Sequence, residues 1–161
     1  MISRITVAFL SAVLLGLGLA APATADTTAR QTNVGDLYVR AERPSGHQLE
    51  SQYAAMWNPA LPMDAKLANS YRGNTPQVRA SSERMKDFSR MYDLMSVNMR
   101  SVAAPVINGN KASAKFVGVL AGFPAQNLSG YYVRDDGLWK LDWKATCASI
   151  GGCNGNPDWG Y

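Results

Sequence analysis

The chain contains two cysteines, Cys147 and Cys153, and a single histidine, His47. A thiol pair can serve redox exchange, clamp a metal or close a disulfide. The run Cys-Ala-Ser-Ile-Gly-Gly-Cys lacks the C-x-x-C spacing of a thioredoxin-like couple. A zinc site would need two further ligands, which one histidine does not supply. No metal and no cofactor is therefore expected. In an oxidising compartment two lone cysteines pair, and Gly151 and Gly152 can make the tight turn that so small a ring demands. A structural disulfide between Cys147 and Cys153 is the expectation.

Acid–base chemistry has little to work with. His47 reads as a solvated histidine, with no acid at helical spacing to make it a base. Asp93 follows Tyr92 in a helical run, so their side chains diverge by about 100°. Asp64 falls in a first helical turn, where a carboxylate suits the helix dipole. Asp87 adjoins Lys86 on a solvated face, and Asp142 falls on the wet side of a hairpin. No acid occupies a clearly inward position. Neither a phosphate-cradling glycine loop nor a G-x-S-x-G elbow is present. The chain is expected to be non-catalytic. The rival reading, a small isomerase or dehydratase, needs one of these carboxylates inside a cavity.

The elements that would position these groups change period midway. Ser45 is a candidate N-cap for a helix whose Leu49, Tyr53, Met56 and Trp57 form one apolar stripe, ended by Asn58-Pro59. A short helix follows from Pro62, with Leu67 and Tyr71 on one face and Gly73 as its stop. A third is expected from about Pro76 to Ser96, where Val78, Met85, Phe88, Tyr92 and Met95 recur at helical spacing. From Val97 onward the pattern is strand-like. Asn108–Asn110 turn one hairpin and Asp135–Gly137 a second, with a looser connection at Ala121–Asn127. Helices followed by antiparallel strands imply an α+β domain, with helices gathered on one face of a curved sheet.

In the second hairpin, a type I′ turn at Asp136-Gly137 places Arg134 opposite Trp139, Tyr132 opposite Leu141 and Gly130 opposite Trp143. This side is expected to face the core. Gly130 would leave room for the Trp143 ring, and Arg134 would stack on Trp139 near the rim. The candidate pocket lining is then Tyr53, Trp57, Phe88, Tyr92, Tyr132, Arg134, Trp139 and Trp143.

Residues 1–25 read as a signal peptide: Arg4, an uncharged apolar run, then Ala23-Thr24-Ala25 as a cleavage signature. Gly16, Gly18 and Pro22 weaken a membrane-spanning alternative, so no integral membrane segment is expected after leader removal. Residues 26–47 read as a linker or arm with an apolar island at Leu37–Val39, residues 48–152 as the folded domain, and residues 153–161 as a tail. The formal net charge of +4 is mild and falls to about +3 without Arg4. No Lys/Arg-rich run exists, which argues against nucleic-acid binding.

Two stretches, "WNPALPMDAKLANSYRGN" and "VRDDGLWKLDWKATCASIGG", carry a resemblance. Pro59, Pro62, Lys66, Gly73, Gly137, Trp139, Lys140 and Cys147 follow a pattern similar to that of the C-terminal domain of mycobacterial low-molecular-weight secreted antigens and related actinobacterial exported proteins. The resemblance covers Gln48 to Gly152. It implies a nuclear-transport-factor-like, or cystatin-like, cone, and a secreted, antigen-like protein without a defined biochemical role. The arm before His47 and the tail with Cys153 and Trp159 depart from the pattern. The expected function is an exported domain that binds a small apolar ligand or an unknown protein by its pocket or surface. It would be a monomer or weak dimer, secreted and extracellular or associated with the cell wall. A structural role in the cell envelope is the further alternative.

Overall fold

The computed structural model describes residues 26–153 and 158–161, apart from the side chains of Met85 and Lys86. The expected signal peptide and the Met85 position of the helical stripe lie outside the described residues. In chain order the elements are β1 (Thr27–Thr28), α1 (Gly46–Trp57), α2 (Met63–Ala68), α3 (Pro76–Met91), β2 (Asn98–Ser101), β3 (Val106–Asn108), β4 (Lys111–Val119), β5 (Gln126–Asp135), β6 (Leu138–Leu141) and α4 (Trp143–Ser149).

The strands form one antiparallel sheet in the order β1-β2-β4-β5-β6, with β3 also paired to β4. Ala112, Ala114, Phe116 and Gly118 alternate inward along β4, the period-two pattern of a strand with one buried face. β2 and β3 share one edge of β4, and the register slips by two residues across Val102–Pro105. Such an insertion bends a strand and increases its twist. The sheet curls around α1, giving the α+β cone-like architecture that the change of period implied.

α1 starts at a reciprocal capping box: Ser45 Oγ accepts from the Gln48 N–H, and Gln48 Oε1 accepts from the Ser45 N–H. Its buried stripe lies in the concavity, where the Tyr132 hydroxyl donates to the Leu49 carbonyl at 3.0 Å and Tyr53 packs 5.4 Å from Phe116. The Gln52 amide donates to the carbonyls of Leu37 (2.7 Å) and Trp139 (2.6 Å).

The stretch before α1 is tightly integrated. Thr27-Thr28 add an edge strand to β2, Ala29 and Leu37 are fully buried, and the Asn58 amide donates to the Ala29 and Thr32 carbonyls. The outer edge of β6 is also covered. Trp139 N–H donates to Val39 and Leu141 N–H to Asn69, while the Leu141 carbonyl accepts from Tyr71 and the Trp139 carbonyl from Gln52.

The second hairpin has its expected turn and two of its expected core-side pairings. Asp136 and Gly137 both take positive φ (51° and 75°), Arg134 pairs with Trp139, and Tyr132 with Leu141. The third pairing is corrected. β6 ends at Leu141, and Asp142 caps a new helix by accepting from the Ala145 N–H, so Trp143 opens α4 instead of facing Gly130. Gly130 lies opposite Ala114, and a Cβ there would come within 2.9 Å of both Phe116 and Tyr132; those rings fill its space. Trp139 and Trp143 are nevertheless both buried.

Two helix ends also differ from expectation. α2 stops at Ala68, because Asn69 and Tyr71 turn outward to bond the β6 edge. Gly73 lies beyond that end, held so close that a Cβ would overlap the Leu67 carbonyl. α3 stops at Met91. Tyr92 takes extended backbone, its ring meets Phe88 and Phe123, and Leu94–Ser96 form a separate 3-10 turn.

Candidate functional site

The disulfide forms as expected. Cys147 and Cys153 are bonded with Cα atoms 5.1 Å apart. Gly151 and Gly152 take φ of 81° and 110°, and the Gly152 N–H returns to the Cys147 carbonyl at 2.8 Å. This ring is one wall of a cavity of about 270 Å³ between α1, α3 and α4. Tyr53 and Trp57 come from α1, Ser81, Arg84 and Phe88 from α3, and Trp143, Thr146 and Cys147 from α4. Ile150, Gly152, Cys153 and Trp159 complete the wall.

Four of the eight expected lining residues meet here: Tyr53, Trp57, Phe88 and Trp143. Tyr132 and Trp139 are instead solid core beneath α1. Trp139 Nε1 donates to the Ala41 carbonyl at 2.9 Å. Arg134 lies on β5 near the hairpin turn, and Tyr92 packs on Phe88 with ring centroids 4.7 Å apart without lining this cavity. Burial pushes the Tyr53 phenol up to about 12, against a smaller opposite effect of its hydrogen bond with Trp57.

The tail contributes what the sequence pattern did not announce. Trp159 is buried and stacks on Trp143 with centroids 6.3 Å apart and planes 7° from parallel. Trp143 Nε1 donates to Ser70 Oγ at 3.0 Å, which fixes the indole from the other side. The Tyr161 hydroxyl donates to Asp142 at 2.9 Å, the Lys144 ammonium donates to the Tyr161 carbonyl, and Arg72 lies over the Tyr161 ring. Asp142 therefore has two structural tasks, capping α4 and holding the tail.

A second cavity of about 150 Å³ shares Trp57 and Phe88 with the first and continues to Leu94, Met99, Leu120 and Leu128. A third, of about 280 Å³, opens on the other side of Trp57 and is lined by Lys66. Lys66 donates to the Asn58 carbonyl at 2.6 Å, and partial burial lowers its pKa to about 8.

The acids occupy other places. Asp64 pairs with Arg79 at 3.2 Å, Asp87 with Arg90 at 3.3 Å, and Asp93 with Arg30 at 3.8 Å, all at the surface. The expectation of no inward acid is corrected by Glu50. It is fully buried, accepts from the Ser101 N–H at 2.6 Å and from the Thr27 hydroxyl, and lies 3.5 Å from His47 Nδ1. Glu50 sits three residues after His47, so the histidine does have an acidic partner on its own helix. The signal was available, because Glu50 shares a helix face with Tyr53 and Trp57. The carboxylate is a clamp between α1 and the β1–β2 edge, and its histidine neighbour His47 lines a separate cavity of about 230 Å³ with Asp36, Tyr38 and Ser51. Among the described residues no group of three or more His, Cys, Asp or Glu is arranged to hold a metal ion, and no helix is long and apolar enough to cross a membrane.

No curated protein and no solved structure matches the chain. The family model described as "Low molecular weight antigen MTB12, C-terminal domain" matches residues 42–157, a span containing α1 to α4, the whole disulfide ring and all but two residues of the sheet. The chain belongs to the family of the C-terminal domain of the low molecular weight antigen MTB12.

Proposed function

We propose that this is an exported, non-catalytic domain of secreted-antigen type that holds a small apolar ligand in the cavity between α1, α3 and α4. The observation that carries the reading is the character of that cavity. Three indoles, two further aromatic rings and a disulfide surround about 270 Å³ near the size of small-molecule sites, and no carboxylate lines it among the described residues. A proton-transfer enzyme would need an acid there, whereas Asp64, Asp87 and Asp93 are engaged at the surface. The antigen family and the disulfide support an extracellular location.

The test is a titration of the mature, oxidised protein with the neutral fluorophore N-phenyl-1-naphthylamine. Saturable binding of one probe per chain is expected, with quenching of Trp57, Trp143 and Trp159 emission. Ile150→Glu, at the exposed rim of the cavity, should weaken binding several-fold. Absence of saturable binding at tens of micromolar probe would overturn the ligand reading and favour recognition by the protein surface.

A further inference from the structure

Arg84 differs from its neighbours on α3. Arg79 and Arg90, each within two turns of it, are paired to Asp64 and Asp87. Arg84 is an exposed residue at the wall of the apolar cavity, and its guanidinium donates to Ser81 Oγ at 2.8 Å, with no ion pair among the described residues. Ser81 itself is buried. A guanidinium fork anchored by one hydroxyl keeps other N–H groups free for an anion. Phe88, one helical turn further on, belongs to both this cavity and the apolar one that ends at Leu120 and Leu128. The two apolar cavities thus meet at Trp57 and Phe88, and the first has at its wall a cation with no ion pair among the described residues.

We propose that the paired cavities accommodate a single-chain amphiphile, with its anionic head at Arg84 and its hydrocarbon chain running beneath Phe88 toward Leu128. This deepens the reading of an apolar-ligand domain and rests on it. The chemistry specified is a monoanionic or dianionic head on one acyl or alkyl chain. A carboxylate and a phosphate monoester both satisfy the guanidinium fork.

The experiment compares oleate, oleyl phosphate and oleyl alcohol as competitors of N-phenyl-1-naphthylamine on the mature oxidised protein, with thermal unfolding confirming that each variant is folded. Wild type should prefer at least one of the anionic ligands over the alcohol by about fivefold, the scale of a partly exposed charge-assisted contact. The better of the two identifies the head group. In Arg84→Gln the ratio should fall to near one, and in Arg84→Lys it should lie between. Equal binding of anions and alcohol by wild type, or a preference that survives Arg84→Gln, overturns the assignment of Arg84 while leaving the apolar site standing. Failure of all three ligands to compete overturns the amphiphile proposal, and if the neutral probe also fails to bind, the apolar-ligand reading falls with it.

Discussion

Replacing Gln52 with Met tests the join between α1, the N-terminal segment and β6. The amide nitrogen of this fully buried side chain serves the Leu37 and Trp139 carbonyls at 2.7 and 2.6 Å. Methionine nearly matches its length and volume but donates nothing, so two buried acceptors lose their partner. Each orphaned carbonyl costs about 1–3 kcal/mol. Against this, the Gln52 Oε1 has no hydrogen-bond partner among the described residues, so its removal returns about 1 kcal/mol. The net loss works out at about 1–5 kcal/mol, or a fall in Tm of about 3–20 °C for a domain of this size. Urea unfolding followed by tryptophan emission, with an unchanged m-value, measures it directly. A loss below about 0.5 kcal/mol would refute the reasoning, because water or another donor would then be satisfying both carbonyls.

Gly73→Ala should cost more than about 2 kcal/mol, since its Cβ would meet the Leu67 and Ser70 backbone and not a side chain that could yield; a Tm within 2 °C of wild type would contradict the close approach. Cys147→Ser/Cys153→Ser removes a closed ring worth about 2 kcal/mol by loop entropy and loosens one cavity wall, so calorimetry should show a Tm lower by about 6–9 °C and probe titration a weaker site. Stability should rise by about 1 kcal/mol from pH 8 to 10. The folded-state pKa of Lys66 is lowered to about 8, so the unfolded chain binds more protons over that window, and the figure is discounted for its partial exposure. Above pH 10 stability should fall, because burial raises the phenols of Tyr53 (to about 12), Tyr132 and Tyr161, and their protection is lost as pH climbs toward the folded values. Urea midpoints across pH 7–11.5 check both limbs, and Lys66→Met should flatten only the first.

Local chemistry was readable in advance where it is self-contained. The Ser45–Gln48 capping box, the Asp-Gly turn and the paired cysteines each depend on a few adjacent residues. Trp143 was misplaced because the alternation of Trp139 and Leu141 was carried one step too far, past an N-cap signal at Asp142. The early end of α2 had no local signal, since Asn69 and Tyr71 leave the helix for partners on β6 about seventy residues later. Three of the twelve residues that line the cavity, Tyr53, Trp57 and Phe88, were legible through the α1 stripe and the period of α3. Trp159 was not, because a lone indole in a Gly- and Pro-containing tail has no period to report its burial.

The flank of β6 has a further implication. Its outward amides and carbonyls are all engaged by Val39, Gln52, Asn69 and Tyr71, so a neighbouring molecule finds no vacant ladder there on which to lay a strand. Deleting the chain through Val39 would bare the Trp139 amide on that flank. The short N-terminal segment thus helps to close this flank of the sheet against strand addition.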